Sequence, residues 1–343
     1  MKQKNVILGR TGIVSGKNAF GALPIQRADK ETAVYLLRKA YNEGFTFFDT
    51  ARMYSDSEEK LGEALSHVRD NIIIATKTTA RTAEAFEKDL DTSLELLKTD
   101  HIDIYQFHNP PFVPKPGDGT GLYEKMLEAK ASGKIRFIGI TNHKLDLAEE
   151  AVLSGLYDTL QFPFSYLATE KDIRIVELCR EHNVGFICMK ALSGGLITNS
   201  AAAYAYLDKF DNVLPIWGIQ RESELDEFIS YIDDAPEMTE EITAVIEKDR
   251  KELIGEFCRA CGYCQPCPMG ISISQCARMI QLIRRSPSQG HLSVESQKMM
   301  LNAENCIECG QCMKRCPYEL NIPALLKKNV EDYKNILAGK IKV

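Results

Sequence analysis

The sequence predicts an α/β protein, a (β/α)8 TIM barrel followed by a small, mainly helical, cysteine-rich module. Three observations predict it. Eight short apolar runs alternate with amphipathic stretches between about Asn18 and Tyr231, the rhythm of repeated βα units in a parallel sheet. No G-x-G-x-x-G turn follows the first run, as it would in a doubly wound dinucleotide-binding sheet. Nine of the eleven cysteines fall after residue 257, where the alternation has ended.

The strands are expected at 20–23, 45–49, 72–76, 104–107, 135–140, 159–162, 185–189 and 213–217. Helices separate them, for example at 32–42 and 84–97. In the first of these, Ala33, Leu36, Leu37 and Ala40 recur at the spacing of one helical face. Beyond the eighth strand, 224–232 and 239–254 read as helices, the second largely charged. The expected domains are a barrel over 1–235, a connecting helix over 236–255 and the cysteine module over 256–343.

Composition bounds the function. With 343 residues, 44% apolar and 26% charged, the chain can bury a substantial core. A formal charge of -6 disfavours nucleic acid and anionic membranes as partners, because both require a basic footprint. No apolar run reaches the roughly 20 residues of a membrane span, and residues 1–14 lack a signal-peptide core. A cytoplasmic location is expected. Residues 256–320 depart from the rest, with five acidic and seven basic side chains.

The cysteines form two runs, Cys258-x2-Cys261-x2-Cys264-x2-Cys267-Pro268 and Cys306-x2-Cys309-x2-Cys312-x3-Cys316-Pro317. Three thiolates at this spacing can wrap three irons of one cubane. Zinc is the alternative, since paired Cys-x2-Cys motifs make tetrahedral sites, but the two runs supply more thiolates than one zinc uses. The second run resembles bacterial ferredoxin spacing, so the segment looks like a helical ferredoxin-type module with two [4Fe-4S] clusters. That resemblance implies crossed ligation: Cys258, Cys261, Cys264 and Cys316 for one cluster, Cys306, Cys309, Cys312 and Cys267 for the other. The first run has x2 where the pattern has x3, which makes Cys267 the least regular ligand. Between the runs, 274–285 and 294–301 read as helices. Cys276, Cys179 and Cys188 read as buried structural thiols.

A barrel site collects at the C-terminal ends of its strands. Asp49 ends the second expected strand, and Tyr54 follows in its loop. Lys77 follows the third strand, His108 the fourth, Thr141 and Asn142 the fifth, while Gln161 lies near the end of the sixth. Alone, Asp49 could cap a helix, Lys77 could be solvated and His108 could be a core histidine. Together, Asp49-Thr-Ala-x2-Tyr54, Lys77 after Ile-Ile-Ala-Thr and His108 after Ile-Tyr-Gln-Phe resemble the catalytic tetrad of the aldo-keto reductases. The likeness takes in Tyr54-Ser-Asp-Ser-Glu58 and Leu61-Gly62 and runs from about Leu8 to Glu227.

The resemblance implies carbonyl or alcohol redox chemistry with Tyr54 as proton donor. Lys77 would ease proton loss from a phenol whose pKa is ordinarily near ~10, Asp49 would orient Lys77, and His108 would bond the substrate oxygen. It implies NADP or NAD, with the carboxamide on Thr141, Asn142 and Gln161. A pyrophosphate loop over Met189, Lys190, Leu192, Gly194 and Gly195 is implied as well. Met189 stands where many members place an aromatic ring. Arg221 is the candidate 2′-phosphate partner, in a segment made acidic by Glu222, Glu224 and Asp226.

The chain as a whole resembles aldo-keto reductases with appended ferredoxin modules. Nicotinamide moves two electrons and a cubane one, so a flavin or a radical-tolerant substrate could bridge them. The expected partners are a small carbonyl or alcohol substrate and a ferredoxin or flavoprotein. The reading from another class is an electron-transfer or protein-binding module with a non-catalytic barrel and structural clusters.

Overall fold

The computed structural model describes residues 2–253, 257–286 and 288–341. The last positions of the expected connecting helix, the first of the cysteine module and residues 342–343 therefore lie outside the described residues. The chain divides into two compact units, one of Met1–Ala191 with Ala203–Met238, the other of Leu192–Ala202 with Thr239–Val343.

The first unit begins with an antiparallel hairpin of β1 (Asn5–Ile7) and β2 (Val14–Gly16). Eight parallel strands then close a barrel: β3 (Ala19–Gly21), β4 (Phe47–Asp49), β5 (Ile73–Thr78), β6 (Ile102–His108), β7 (Ile135–Thr141), β8 (Thr159–Pro163), β9 (Gly185–Met189) and β10 (Val213–Gly218). Each pairs with the next in sequence, and β10 closes on β3. This is the arrangement expected from the alternation. Its strands read as near-continuous apolar runs because parallel strands are covered on both faces.

The helices of this unit are α1 (Lys30–Asn42), α2 (Ser57–Leu65), α3 (Ala83–Leu97), α4 (Leu122–Ala131), α5 (Leu145–Leu153), α6 (Glu170–Glu181), α7 (Ser200–Leu207, shared with the second unit) and α8 (Glu222–Asp233). Their starts are chemically marked. The Asp29 carboxylate accepts from the Thr32 N–H at the start of α1, and the Thr82 hydroxyl from the Ala85 N–H at the start of α3. Gly62 lets α2 approach α3 closely: a Cβ there would lie 2.1 Å from the Leu96 carbonyl oxygen.

The hairpin was not foreseen. Val6, Leu8 and Ile13 are buried against Ala19, Phe47, Ala75, Ile104 and Leu214, all in the first halves of their strands. The hairpin therefore stoppers the N-terminal end of the barrel. Strand β6 is also longer than expected at its start. Asp103, a poor strand former, is 1% exposed there, accepting from Arg69 at 2.7 Å, Arg136 at 2.5 Å and the Ile74 N–H at 2.9 Å.

The second unit is helical: α9 (Glu240–Leu253), α10 (Ile273–Arg285), α11 (Val294–Asn302), the single turn α12 (Gln311–Lys314) and α13 (Ile322–Leu337). Its core joins Cys276, Ile280 and Ile283 of α10 to Leu326, Val330 and Tyr333 of α13, with Met300 of α11. Asn329 fixes the α10 and α13 pairing by donating to the carbonyls of Cys276 and Ala277, both at 3.0 Å. Among the described residues, no helix is long and apolar enough to cross a membrane.

Candidate active site and cluster cavities

The parallel register brings the predicted polar residues to one end of the barrel. Asp49 closes β4, Lys77 is the penultimate residue of β5, His108 closes β6 and Thr141 closes β7. Lys77 Nζ donates to Asp49 Oδ1 at 2.7 Å and to the Thr50 carbonyl at 2.5 Å, and the two side chains are 1% and 2% exposed. Burial pushes the Asp49 carboxyl above its ordinary value, and the adjacent ammonium opposes this.

Tyr54 stands in the β4–α2 loop. Lys77 Nζ is 5.1 Å from its ring centroid, and its ring meets His108 edge-on with centroids 5.7 Å apart. The loop is pinned by Ser57, whose hydroxyl donates to the Ala22 carbonyl at 2.9 Å and bonds Thr50 Oγ1 at 2.8 Å. Burial holds the Tyr54 phenol above its usual value, with Lys77 pulling the other way. His108 is lowered to about 3, by burial first and then by Lys77 and Arg81. It is a neutral imidazole at working pH, and its buried Nδ1 has no partner among the described residues; neither has Asp49 Oδ2.

The nucleotide candidates are less uniform. Thr141 Oγ1 accepts the Asn109 N–H at 3.0 Å, which leaves its own proton to donate. Asn142 is fully buried, donating to the Pro110 carbonyl at 3.1 Å and accepting from the Lys144 N–H at 2.9 Å. Gln161 faces inward, accepting from Gln106 at 2.9 Å and lying 3.5 Å from Asp49 Oδ1. A hydroxyl proton on Thr141 and the second amide proton of Asn142 are the donors a carboxamide oxygen needs, so these residues fit a nicotinamide.

Met189 is half-buried at the end of β9, against the inner cluster of the barrel. Lys190 has a left-handed backbone and points Nζ to within 3.5 Å of His143 Nδ1. Leu192, Gly194 and Gly195 belong to the second unit. Arg221 is exposed, and its Nε donates to Glu224 Oε1 at 3.0 Å.

In the second unit the eight predicted cysteines line two cavities. One is bordered by Cys258, Cys261, Cys264 and Cys316 with Tyr318. The other is bordered by Cys267, Cys306, Cys309 and Cys312, and Cys264 also reaches it. Each cavity thus draws three cysteines from one run and the fourth from the other. Burial pushes the Cys264 thiol up to about 12 and raises Cys261 and Cys312. Sulfur-only donors around compact apolar cavities fit iron-sulfur clusters. Cys276 bonds the Met299 carbonyl at 3.5 Å and lines neither cavity.

Sequence reasoning passed over two groups beside the tetrad. Arg52 pairs with the buried Glu58, which also accepts from Thr76 at 2.6 Å and Ser93 at 2.8 Å, while the Arg52 N–H donates to the Lys77 carbonyl at 3.0 Å. This network braces the Tyr54 loop against β5. His143, next to Asn142, is lowered to about 3 by burial and then by Lys190 and His108. Its place directly after Thr141-Asn142 was the available signal.

Comparison with known proteins agrees with this geometry. Residues 12–213 match the profile of the aldo/keto reductase family, and residues 257–321 that of a 4Fe-4S dicluster domain. A Bacillus subtilis aldo-keto reductase is 30% identical over 199 residues, covering 53% of this chain and 59% of that protein. An Arabidopsis thaliana L-galactose dehydrogenase is 30% identical over 211 residues, covering 56% and 66%. The chain thus spans less than two thirds of either relative.

Among solved structures, a Bacillus halodurans aldo-keto reductase in its holo form superposes with a TM-score of 0.63 at 20% identity, covering 72% of this chain and 96% of that one. A Klebsiella pneumoniae aldo-keto reductase in complex with NADPH gives 0.62 at 20% identity, covering 72% and 95%. These likenesses concern the fold. With the family profile spanning more than half of its length, the chain is a member of the aldo/keto reductase family, an oxidoreductase family, that carries a 4Fe-4S dicluster domain in its C-terminal part.

Proposed function

We propose that the barrel interconverts a small carbonyl and its alcohol, with Tyr54 giving and taking the proton, and that the cysteine module holds two [4Fe-4S] clusters exchanging electrons with a ferredoxin or flavoprotein. The observation that carries the barrel half is the buried Lys77–Asp49 pair at 2.7 Å with its ammonium 5.1 Å from the Tyr54 ring. When bound, NADPH or NADH supplies hydride at the substrate carbon, and the clusters supply one-electron transfer.

The chain's own residues do the rest. Tyr54 stays protonated through neutral pH because burial outweighs its cation, so it is a ready donor to a carbonyl oxygen. As the phenolate forms, the Lys77 charge stabilises it, and Asp49 fixes where that charge lies. Neutral His108 can donate one hydrogen bond to the same oxygen. Thr141 and Asn142 would hold the carboxamide, and Arg221 a 2′-phosphate.

Cluster-loaded Tyr54→Phe should lose roughly 10²–10⁴ of kcat across a carbonyl panel with NADPH or NADH, while keeping its dinucleotide affinity. Full turnover by this variant would overturn the barrel chemistry. Anaerobic titration with reduced ferredoxin, followed by absorbance, reads the electron-transfer half: bleaching of the clusters supports it, and an unchanged spectrum would overturn it.

A further inference from the structure

The two cysteine loops are built alike. In Cys258-Arg259-Ala260-Cys261-Gly262 the alanine takes a φ of 54° and the glycine 84°; in Cys306-Ile307-Glu308-Cys309-Gly310 the matching positions take 51° and 72°. Each cavity draws its fourth cysteine from the other run, where a proline follows: Cys316-Pro317-Tyr318 at the first, Cys267-Pro268-Met269 at the second. With the frames so similar, the difference between the cavities falls on a few side chains.

Those side chains differ in charge. Arg259 borders the first cavity where Ile307 borders the second, and Tyr318 borders the first where Met269 borders the second. The Arg259 guanidinium lies 3.9 Å from the centroid of the Tyr318 ring and 4.8 Å from that of Phe257, and the side chain is half-buried. Aromatic faces attract a cation and hold a planar guanidinium in place. Among the described residues, Arg259 is the one charged side chain bordering the first cavity, and none borders the second.

A [4Fe-4S] cluster gains negative charge with the electron it takes up, and a fixed cation at its wall favours that reduced state. We propose that Arg259, held on Tyr318, makes the two clusters unequal: the one bound by Cys258, Cys261, Cys264 and Cys316 has the more positive midpoint potential, and the first electron to enter the module rests there. The proposal rests on the reading above that the cysteines hold two such clusters. One electron passes from an external one-electron donor to one cluster, and no bond forms or breaks on Arg259.

The test uses the full chain with reconstituted clusters as wild type, Arg259→Ile, Arg259→Lys and Ile307→Arg. Titanium(III) citrate supplies the electrons, midpoints are read by electron paramagnetic resonance during redox titration, and iron and sulfide are counted on each sample. Wild type should show two midpoints. Arg259→Ile should lower the higher one by roughly tenfold in its one-electron equilibrium constant, about 59 mV, and leave the lower one in place. Arg259→Lys keeps a cation, so its higher midpoint should fall less. Ile307 is 61% exposed, so Ile307→Arg sets a cation at the matching position without disturbing the core, and it should raise the lower midpoint.

Coincident midpoints in wild type, or an Arg259→Ile chain whose higher midpoint moves by less than about twofold in the same constant, overturn the proposal. So does an equal shift of both midpoints, which a local charge does not produce. If Arg259→Ile takes up too little iron to measure, Ile307→Arg decides: an unmoved lower midpoint sinks the proposal and a raised one upholds it. A wild-type chain with too little iron and sulfide for two cubanes overturns the cluster reading and the tuning with it, whereas full loading with unmoved midpoints overturns the tuning alone.

Discussion

In the barrel, the polar centre is assembled by the fold itself: Lys77 and Asp49 are 1% and 2% exposed and already paired. In the cysteine module, Cys264 alone of the eight predicted ligands is buried, and Cys309 is exposed. The first site spends the stability of a large closed sheet on holding two opposite charges. The second is a helical unit with its own apolar core, and two cavities beside that core are bordered by the predicted cysteine ligands. A polar pair already held by the barrel and a set of cysteines left mostly part-exposed thus occur in one chain, and they should fail differently.

The largest expected difference follows from removing iron. Chelation should release the module's helices into fast amide hydrogen exchange while β3 to β10 stay protected, because cluster binding and folding are one equilibrium in small metal domains. Equal protection of α10 and α13 with and without iron would show that their apolar core suffices. Next, Lys77→Met leaves Asp49 buried and unpaired, and should cost about 3–5 kcal/mol in urea unfolding of the barrel. A loss under about 1 kcal/mol would mean that Asp49 takes up a proton instead.

The smallest effect concerns pH. His108 and His143 are held neutral with values lowered to about 3, so below about 6.5 the unfolded chain binds protons that the folded chain does not. Barrel stability should therefore fall as pH drops from 6.5 towards 3, by at most about 2 kcal/mol per histidine at pH 5. In His143→Asn the drop in urea midpoint between pH 7 and pH 5 should shrink; an unchanged drop would assign the acid sensitivity elsewhere.

Legibility also differed between the regions. The strand expected at 185–189 could be read because barrel strands are apolar throughout, whereas Asp49, Tyr54, Lys77 and His108 were singled out together only through a family resemblance. The start of β6 hid because Asp103 is satisfied by two guanidiniums distant in sequence, which no local pattern records. The hairpin hid because each of its strands is three residues long with one buried side chain, too short for alternation. The cysteine runs announced themselves by spacing. The place of Leu192–Ala202 in the second unit, where Arg278 and Arg285 donate to the Ser193 and Leu196 carbonyls from 85 and 89 residues away, was invisible.

The N-terminal hairpin reaches further than its size. Val6, Leu8 and Ile13 pack with Phe47, Ala75, Ile104 and Leu214 at the N-terminal end of the barrel. A short ribbon thus closes one end of the sheet and leaves Asp49, Lys77, His108 and Thr141 at the strand ends facing away from it.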